Sequence, residues 1–574
     1  MNCAAECKRW VTSFAVNEYT KADAILMIND PEKLEACFGS SLEFGTAGLR
    51  GIMGAGTNRM NECTVRQATK GLGNFIAGLG KAAMERGVVI AHDSRNNGLL
   101  FTEETALTLC ALGIRVYVFD ELRPTPELSF AVRKLGAIAG INITASHNPK
   151  IYNGYKVYFE DGAQISGELA DQIQAQIKLI DPLSVETMDK AKAVESGLYR
   201  VIGKEIDEAY LAAVLAEGMD LSRISEQAKN LKIVYTPFHG AGYRLVPAVL
   251  EKLNIHYYPV TQQMIPDGEF PTLRSPNPED KDGFTLGMQK AKEVGADLIL
   301  ATDPDADRVG VGCLDQAGEI TLLSGNQIGV LLADFIITNL KESGKMPMSP
   351  AVITSIVSTR MAKKICQDQG VDYFEVLTGF KYIGEHIKDF EKNHDHTFIF
   401  GFEESYGYLK GTYARDKDSV VATMLIAQMA MYYKDKNMTL PQALEALYQK
   451  YGYYDEKIVS IVIGGLEPKE NMNKMMTSLR EELPENVGGH RVVKVGDFLL
   501  EQYKDTATGE ITTTGLPKSD VLHFTMENGC NVIIRPSGTE PKVKLYILTS
   551  GKSKAECAEK IKTYEKAFGE MLKA

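Results

Sequence analysis

The feature of this sequence that most constrains its fold is an alternation of short apolar runs with helical patterns, repeated in three successive rounds. Strands that alternate with helices predict a largely parallel sheet in each round. In such sheets the loops at the carboxyl ends of the strands carry the functional residues. The runs are Gly87–Arg95, Ile114–Asp120 and Ala137–Ile143, then Lys232–Thr236, Ile255–Val260 and Asp297–Ala301, then Ala351–Val357, Tyr373–Leu377 and Thr397–Phe400.

The length of the chain requires several domains. With 574 residues it is too long for one hydrophobic core, and this length predicts about three to five domains. We expect an amphipathic helical segment up to about Ser40, and a charged, Met-rich helical stretch from about Tyr453. Strands around a short turn at 527–530 then indicate an antiparallel sheet in an α+β domain. The predicted domains are 1–205, 206–318 and 319–452, which are α/β, and 453–574.

The charge of the chain limits its partners. A net charge of −12 argues against a broad nucleic-acid or anionic-membrane surface, since both need a basic footprint. Any anionic ligand must then be bound by a local basic pocket. The first residues lack a secretory signal pattern, and no later run is apolar enough for a membrane span. Nine dispersed cysteines without a Cys-x-x-Cys pair suit reduced thiols, so we expect a cytoplasmic protein.

A serine and a histidine stand together in Thr144–Pro149, directly after the run that ends at Ile143. Because Asn-Pro halts regular structure, Ser146 and His147 should lie on an exposed turn, which is where a nucleophile would be placed. Ser146 is not in a Gly-x-Ser-x-Gly elbow, which disfavours an esterase or lipase. The alternative is a polar turn in which Ser146 binds its own backbone.

Three aspartates alternate after the run that ends at Ala301. In an extended loop, the carboxylates of Asp303, Asp305 and Asp307 could converge on one cation and offer the oxygen ligands that Mg²⁺ prefers. An EF-hand does not fit, because its sixth position must be Gly and its twelfth Glu, where this chain has Arg308 and Leu314. A solvated acidic turn is the alternative.

A third polar loop, Arg535–Pro541, combines a guanidinium, two hydroxyls and backbone N–H groups around a Gly, which suits a phosphate group. A structural turn is equally consistent with its composition. It is not a P-loop, because Gly-Lys-Ser/Thr is absent. A nucleophile, a metal site and a phosphate cradle in one chain together indicate phosphoryl transfer.

Weaker signals add to this hypothesis. Glu403 and Ser405 follow a strand and offer an acceptor and a donor suited to adjacent hydroxyls of a sugar. Lys417 lies among acidic residues and is equally consistent with a surface lysine. Arg50 is the one cation of the glycine-rich loop Phe44–Gly51, and such loops are common.

The combination of motifs resembles the α-D-phosphohexomutases. The motifs that carry the resemblance are, in chain order, Thr144–Pro149 with Asn153–Lys156, then Asp303–Arg308, Gly401–Ser405 and Arg535–Pro541. The resemblance runs from Phe44 to about Pro541, nearly the whole chain. It is strongest with the branch that contains phosphoglucomutases and phosphopentomutases.

The resemblance implies a fold and a set of site residues. The fold is α/β, with four domains around a central cleft, three related α/β units and a fourth domain like the TATA-binding protein. Ser146 would be a phosphoserine in the active enzyme, and Asp303, Asp305 and Asp307 would hold Mg²⁺ together with a phosphoserine oxygen. The transferring phosphoryl group would be surrounded by Arg50, His147, Lys156 and Arg308, with Lys417 as general acid/base, and the substrate's other phosphate would bind Arg535, Ser537, Gly538 and Thr539.

The resemblance also implies an activity, the reversible interconversion of glucose 1-phosphate and glucose 6-phosphate through glucose 1,6-bisphosphate. In the loop of the third domain this chain reads Thr378-Gly379-Phe380-Lys381, where dual phosphomannomutase/phosphoglucomutases carry Gly-His-Lys. This difference favours glucose over mannose as the substrate sugar. A phosphopentomutase or phosphomannomutase of the same family is an alternative, and a non-catalytic sugar-phosphate sensor is an alternative from another class. The expected partners are small sugar phosphates, with no nucleic acid and no membrane, and the sequence leaves the oligomeric state open.

Overall fold

The computed structural model describes residues 2–44, 48–165, 167–315, 317–464, 468–537 and 542–572. The chain begins with three short helices, each capped by a side chain of the preceding residue, which confirms the expected helical extension. They pack around Trp10, whose ring meets that of Phe38 edge-on at 5.6 Å. Among the described helices, none combines the length and the apolar character needed to cross a membrane. The three helices are α1 (Cys3–Thr12), α2 (Glu18–Met27) and α3 (Pro31–Phe38).

The first α/β unit contains a six-stranded mixed sheet of order β1-β5-β4-β2-β3-β6. Pairing is parallel among β4, β2, β3 and β6 and antiparallel where β5 joins β4 and β1. The strands are β1 (Leu49–Ile52), β2 (Val88–His92), β3 (Val116–Phe119), β4 (Ala139–Ile143), β5 (Tyr152–Phe159) and β6 (Tyr199–Ile202). The helices are α4 (Glu62–Gly78), α5 (Lys81–Arg86), α6 (Gly98–Ala111), α7 (Thr125–Leu135), α8 (Gly167–Lys178) and α9 (Lys190–Glu195).

The second unit contains a five-stranded mixed sheet of order β11-β10-β9-β7-β8. Its last strand lies after the boundary expected at residue 318 and pairs with the preceding strand. The strands are β7 (Ile233–Thr236), β8 (Tyr257–Pro259), β9 (Leu298–Thr302), β10 (Val309–Leu314) and β11 (Ile320–Leu323). The helices are α10 (Lys204–Ala216), α11 (Glu226–Lys229), α12 (Gly242–Lys252) and α13 (Thr285–Val294), with 3₁₀ turns at Thr261–Gln263 and Lys281–Phe284.

The third unit contains a four-stranded mixed sheet of order β13-β12-β14-β15. Its helix α17 is buried on nearly all sides and begins directly after Asp418, whose side chain accepts hydrogen bonds from the N–H groups of Val420 and Val421. The strands are β12 (Pro350–Ser355), β13 (Asp372–Val376), β14 (Thr397–Glu403) and β15 (Gly407–Leu409). The helices are α14 (Gly325–Glu342), α15 (Met361–Gln369), α16 (Phe380–Asn393), α17 (Ser419–Asp435) and α18 (Leu440–Tyr451).

The C-terminal domain is an antiparallel sheet with two helices. Its strands run in the order β16-β23-β22-β21-β18-β19-β20, and β17 pairs with β18. The strands are β16 (Tyr453–Val462), β17 (Asn486–Val487), β18 (His490–Asp497), β19 (Gln502–Asp505), β20 (Ile511–Thr513), β21 (Leu522–Met526), β22 (Asn531–Pro536) and β23 (Lys542–Gly551), and the helices are α19 (Pro468–Glu481) and α20 (Lys554–Met571). Three mixed α/β sheets followed by an antiparallel domain confirm the predicted fold class.

Two predictions of secondary structure were wrong. The stretch after Tyr453 begins with the strand β16, and the Met-rich helix starts only at Pro468. β16 pairs along its whole length with β23, so that partner, far away in sequence, decides its conformation. The expected loop Phe44–Gly51 also differs, because Leu49–Ile52 is an edge strand that pairs with β5. Residues 45–47 of that loop lie outside the described residues.

The three α/β units place their polar turns at the same point. In each unit the turn joins a strand of the parallel part of the sheet to the antiparallel strand that follows it. We call these the Ser146 turn (144–151, between β4 and β5), the Asp turn (303–308, between β9 and β10) and the Glu404 turn (404–406, between β14 and β15). One apolar core spans all three units, with Tyr158, Val246 and Phe402 among its buried members, and it holds the turns in place.

Candidate active site

The Ser146 turn presents its serine to the Asp turn. The prediction of an exposed turn was wrong for Ser146, which is buried because Asp303 of the second unit and Arg95 pack against it. Its positive φ of 49° is unusual for a residue other than Gly. Its Oγ donates a hydrogen bond to Asp303 Oδ2 at 2.8 Å and lies 3.1 Å from Nδ1 of His147. The structure therefore places the candidate nucleophile against the first residue of the candidate metal site.

Hydrogen bonds between side chains and main-chain groups fix the shape of the Asp turn. Asp303 Oδ1 accepts hydrogen bonds from the N–H groups of Asp307 and Arg308, at 3.1 and 3.0 Å, which closes the turn on itself. Ala306 adopts a φ of 51°, and its carbonyl accepts a hydrogen bond from the hydroxyl of Ser419 at the start of α17. The second unit supplies this turn, and the third unit braces it.

The three carboxylates of the Asp turn converge. Asp303, Asp305 and Asp307 are buried, and one oxygen of each lies within 4.8 Å of the others, the one such acidic, His or Cys group among the described residues. Within the described part of the chain, Asp305 Oδ1 and Asp307 Oδ1 are buried without a hydrogen-bond partner, an arrangement that is costly unless a cation binds there. Oxygen ligands suit Mg²⁺, so these residues fit the predicted metal and could hold it.

Burial and mutual repulsion perturb these acids. Burial, together with the charges of Asp305 and Asp307, raises the pKa of Asp303 well above its usual range. Burial also opposes ionisation of Asp305, but Lys156 outweighs it and holds the pKa of Asp305 below its usual range. The cluster therefore combines at least one firmly ionised carboxylate with one that resists ionisation.

Two lysines from different units meet the carboxylates. Lys156, on β5, lies 2.8 Å from Asp305 Oδ2 and 3.7 Å from Asp307 Oδ2. Lys417, just before α17, lies 3.2 Å from Asp307 Oδ2 and 2.9 Å from Asp416. Burial lowers the pKa of Lys417, but the carboxylates of Asp307 and Asp416 outweigh it, so the pKa is raised and the side chain carries its proton.

Two arginines and a histidine complete the charged lining. Arg50, on β1, donates to Asn148 Oδ1 at 3.1 Å, so it faces the Ser146 turn. Arg308 donates to the carbonyl of Ser405 at 3.0 Å, which links the Asp turn to the third unit. Burial, and then the cations Arg308 and Arg50, hold the pKa of His147 well below its usual range, so its ring is neutral at pH 7.

The predicted sugar-contacting residues group in the third unit. Glu403, the last residue of β14, is buried and accepts a hydrogen bond at 2.7 Å from the N–H of Gly379. Gly379 has a φ of 126°, a conformation open to glycine, and Thr378 before it is half-buried. Lys381 is buried, and burial lowers its pKa. The structure thus brings the 378–381 loop and Glu403 together, next to the Glu404 turn.

The predicted phosphate-binding loop is described in part. Arg535 lies on β22 and Ser537 directly after it, both half-buried, while Gly538 and Thr539 lie outside the described residues. The Nε of Arg535 is buried and has no hydrogen-bond partner among the described residues, so it fits a ligand site. Burial, and then the charge of Arg535, lower the pKa of Lys544, and Glu404 and Glu279 oppose this shift, so these groups share one region.

Sequence reasoning missed three residues of this site. Thr125, the first residue of α7, donates its N–H to the carbonyl of Asp305 and its hydroxyl to Asp305 Oδ2, both at 2.8 Å. Glu279 lies 3.2 Å from Arg308. Lys544 is the cross-strand partner of Arg535. Of the three, only Lys544 could have been found from the sequence. Antiparallel pairing of the predicted strands at 531–534 and 543–548 would have placed it beside Arg535.

Comparison with known proteins gives consistent results. Three domain families match in order: phosphoglucomutase/phosphomannomutase α/β/α domain I over residues 41–183, domain II over 208–316 and domain III over 324–451. A phosphoglucomutase of Staphylococcus epidermidis is 37% identical over 521 residues, 90% of this chain and 92% of that protein. One of Staphylococcus aureus is 36% identical over 539 residues, 93% of this chain and 94% of that protein.

Solved structures share the fold. A phosphoglucomutase of Paramecium, also described as parafusin, aligns with a TM-score of 0.65 at 17% identity, over 93% of this chain and 95% of that one. A phosphoglucomutase/phosphomannomutase family protein of Burkholderia thailandensis aligns with a TM-score of 0.66 at 19% identity, over 92% and 97% of the two chains.

Proposed function

The chain belongs to the phosphoglucomutase/phosphomannomutase family, and from this premise we propose that it interconverts glucose 1-phosphate and glucose 6-phosphate. Its relatives at 36–37% identity place it in the phosphoglucomutase branch and make it an isomerase-class phosphotransferase. The choice of glucose rests further on the loop Thr378–Lys381, which lacks the Gly-His-Lys sequence of the dual-specificity enzymes.

One observation carries the proposal: Ser146 Oγ lies 2.8 Å from Asp303 Oδ2, at the edge of a cluster of three carboxylates. A serine hydroxyl in this place can carry a phosphoryl group as the covalent intermediate of a double displacement. Phosphorylated Ser146 gives its phosphoryl group to the free hydroxyl of the bound sugar phosphate. The bond between phosphorus and Ser146 Oγ breaks, a proton lost by the sugar hydroxyl is balanced by one gained at Ser146 Oγ, and glucose 1,6-bisphosphate forms. The bisphosphate then reorients in the site so that its other phosphate faces Ser146, and the Ser146 hydroxyl takes that phosphoryl group.

The chain's own cations favour this transfer. The cations Arg50, Lys156 and Arg308 surround the Ser146 and Asp turns, where charge develops on the transferring group, and the neutral ring of His147 lies beside Ser146 Oγ. Lys417 is held in its protonated form and can give a proton to the leaving sugar oxygen. Mg²⁺, held by Asp303, Asp305, Asp307 and a phosphoserine oxygen, would supply further charge neutralisation.

The remaining residues bind the parts of the substrate that do not react. Glu403 and Ser405 offer hydrogen bonds to adjacent sugar hydroxyls, and Thr378, Gly379 and Lys381 line the same side. The non-reacting phosphate would bind Arg535 and Ser537 together with Gly538 and Thr539. Because the bisphosphate must present either phosphate to Ser146, this second site must accept both orientations of the sugar.

Two measurements test the proposal. We expect intact-mass analysis to show one added phosphate on the protein after incubation with glucose 1,6-bisphosphate. We also expect kcat/KM to be larger for glucose 1-phosphate than for mannose 1-phosphate or ribose 1-phosphate. A clear pentose or mannose preference would overturn the glucose assignment. Absence of both phosphate uptake and turnover would instead support a non-catalytic sugar-phosphate sensor.

A further inference from the structure

Two charged residues that no proposed step uses lie directly behind the Ser146 turn. Asp93 and Arg95 follow β2, which pairs in parallel with β4, so the ends of the two strands meet there. Both side chains have 0% exposed surface, and they form an ion pair at 3.3 Å. Burying two charges is costly unless their hydrogen-bonding groups are used. Their hydrogen-bond partners therefore indicate what the pair is for.

Arg95 binds the main chain of the Ser146 turn. Its Nη2 donates to the carbonyls of Ser146 and Asn148, each at 2.5 Å, and its Nη1 donates to those of Pro149 and Tyr152, each at 3.0 Å. The planar guanidinium holds all four carbonyls in one fixed arrangement, which a lysine ammonium could not reproduce.

Asp93 holds the same turn from its other side, through Thr144. Asp93 Oδ2 accepts a hydrogen bond from the Thr144 hydroxyl at 2.5 Å, and that hydroxyl accepts one from the N–H of Ser146 at 2.8 Å. Ser146 is thus held at its N–H and at its carbonyl together. Its φ of 49° is unfavourable for a residue with a side chain, so the turn would relax if these bonds were lost.

A segment of the second unit covers this arrangement. The centroid of the Phe270 ring lies 5.3 Å from the Arg95 guanidinium, and Glu269 accepts hydrogen bonds from Asn96 and Lys150. Gly268 approaches so closely that a Cβ there would lie 2.4 Å from the N atom of Asn96. The cover leaves the Arg95 guanidinium buried, where its hydrogen bonds are stronger than in water.

We propose that Asp93, Arg95 and Thr144 are positioning residues for phosphoryl transfer at Ser146, because they hold its main chain from both sides in a conformation that aims Oγ at the Asp turn. This inference rests on the proposed function. Among the described residues, no hydrogen bond or ion pair joins these three to the Glu404 turn or to Arg535, so loosening them should slow transfer to Ser146 and leave sugar-phosphate binding almost unchanged.

The test compares paired variants of the full-length protein. Rapid quench and intact-mass analysis would follow phosphorylation by glucose 1,6-bisphosphate, and steady-state assays would give KM for glucose 1-phosphate. We expect Thr144→Val and Arg95→Lys to lower the phosphorylation rate by about tenfold or more, with KM changed by less than about threefold. Thr144→Ser keeps the hydroxyl and should stay close to the parent protein. Arg86→Lys is the matched control, because Arg86 also binds backbone carbonyls of the first unit, those of Gly136 and Ala137.

The outcomes separate this inference from the proposed function. If folded Thr144→Val is phosphorylated as fast as Thr144→Ser, the positioning role is wrong, and this pair decides the question even if Arg95→Lys does not fold. If Arg86→Lys slowed phosphorylation as much as Arg95→Lys, the inference would also be contradicted, because the loss of an arginine elsewhere in the first unit would then have the same effect. If the parent protein itself takes up no phosphate, the proposed function fails instead.

Discussion

The centre around Ser146 and the region around Arg535 are built differently. Around Ser146, polar atoms of three units bind one another: Ser146 binds Asp303, Thr125 binds Asp305 and Lys417 binds Asp307. Around Arg535, no described residue hydrogen-bonds to the guanidinium Nε, and a second cation, Lys544, lies beside it. The protein therefore organises its reacting groups in advance, whereas the candidate phosphate site keeps a cationic hydrogen-bond donor for the ligand.

The apolar cores differ in the same way. One continuous core joins the three α/β units. The C-terminal domain touches that core only at its edge, through Tyr453 and Tyr454 among the described residues. It also meets the third unit through a separate and smaller cluster, which includes Val357, Leu377, Ile533 and Tyr546. We therefore expect changes in the Ser146 centre to affect chemistry, and changes in the C-terminal domain to affect binding or the stability of that domain alone.

The largest effect should come from removing the phosphoryl carrier. Ser146→Ala should lower kcat by on the order of 10⁴-fold or more at any Mg²⁺ concentration, since double displacement has no substitute for the hydroxyl. Ser184→Ala, an exposed serine of the same unit, is the control and should retain full activity. Substantial turnover by Ser146→Ala in a coupled assay would refute the phosphoserine mechanism.

A smaller loss should follow from weakening the Asp turn. Asp305→Asn keeps the carrier but removes a charge from the candidate metal site, so kcat should fall on the order of 10²-fold and recover in part as Mg²⁺ is raised. Titrating activity with Mg²⁺ measures this recovery. Asp315→Asn, at the far end of β10, should give the parent's Mg²⁺ response. If Mg²⁺ has the same effect on Asp305→Asn as on the control, Asp305 has no role at a metal.

In the C-terminal domain a cation should affect binding more than chemistry. Arg535→Ala should raise KM for glucose 1-phosphate by about 10- to 100-fold, the range for losing a charge-assisted hydrogen bond, with a smaller change in kcat. Lys494→Ala removes an exposed cation from the same sheet and should change neither value. A fall in kcat at unchanged KM would place Arg535 among the reacting groups and contradict the distinction between the Ser146 centre and the Arg535 region.

The smallest effect concerns stability at low pH. Burial, and then the charge of Arg360, lowers the pKa of His523 to about 3 in the folded domain. An unfolded chain would bind a proton near pH 6.5, so the free energy of unfolding should fall by roughly 1 kcal/mol per pH unit as the pH drops below about 6.5. Hydrogen exchange of β21 and β22 at pH 7 and 5 would measure this loss, with rates corrected for the intrinsic pH dependence of exchange.

The control for this pH effect uses two histidine variants. His523→Gln should remove the pH-dependent loss from β21 and β22, whereas His256→Gln, which changes an exposed ring in the second unit, should leave it in place. If both variants lose as much hydrogen-exchange protection between pH 7 and 5 as the parent protein does, the buried imidazole of His523 does not cause the acid sensitivity.

The sequence predicts which strands end at the site because that information is local. The apolar runs before Thr144, Asp303 and Glu404 correspond to β4, β9 and β14, and the polar residues after them form the turns. Contacts between distant segments have no local signal: Thr125 binds Asp305 across 180 residues, and only the packing of α7 against the second unit brings them together. For the same reason β16 was missed, since its conformation depends on β23.

The common position of the three polar turns has a consequence for how this enzyme family can diversify. The Glu404 turn is short and directly joins two paired strands. The Ser146 turn is long, and its main chain accepts hydrogen bonds from the buried Arg95. If residues 378–381 and 404–406 contact the sugar as proposed, substitutions there would change sugar selectivity without disturbing the buried hydrogen bonds that hold the Ser146 main chain. The choice of sugar and the phosphoryl chemistry would then be able to change independently.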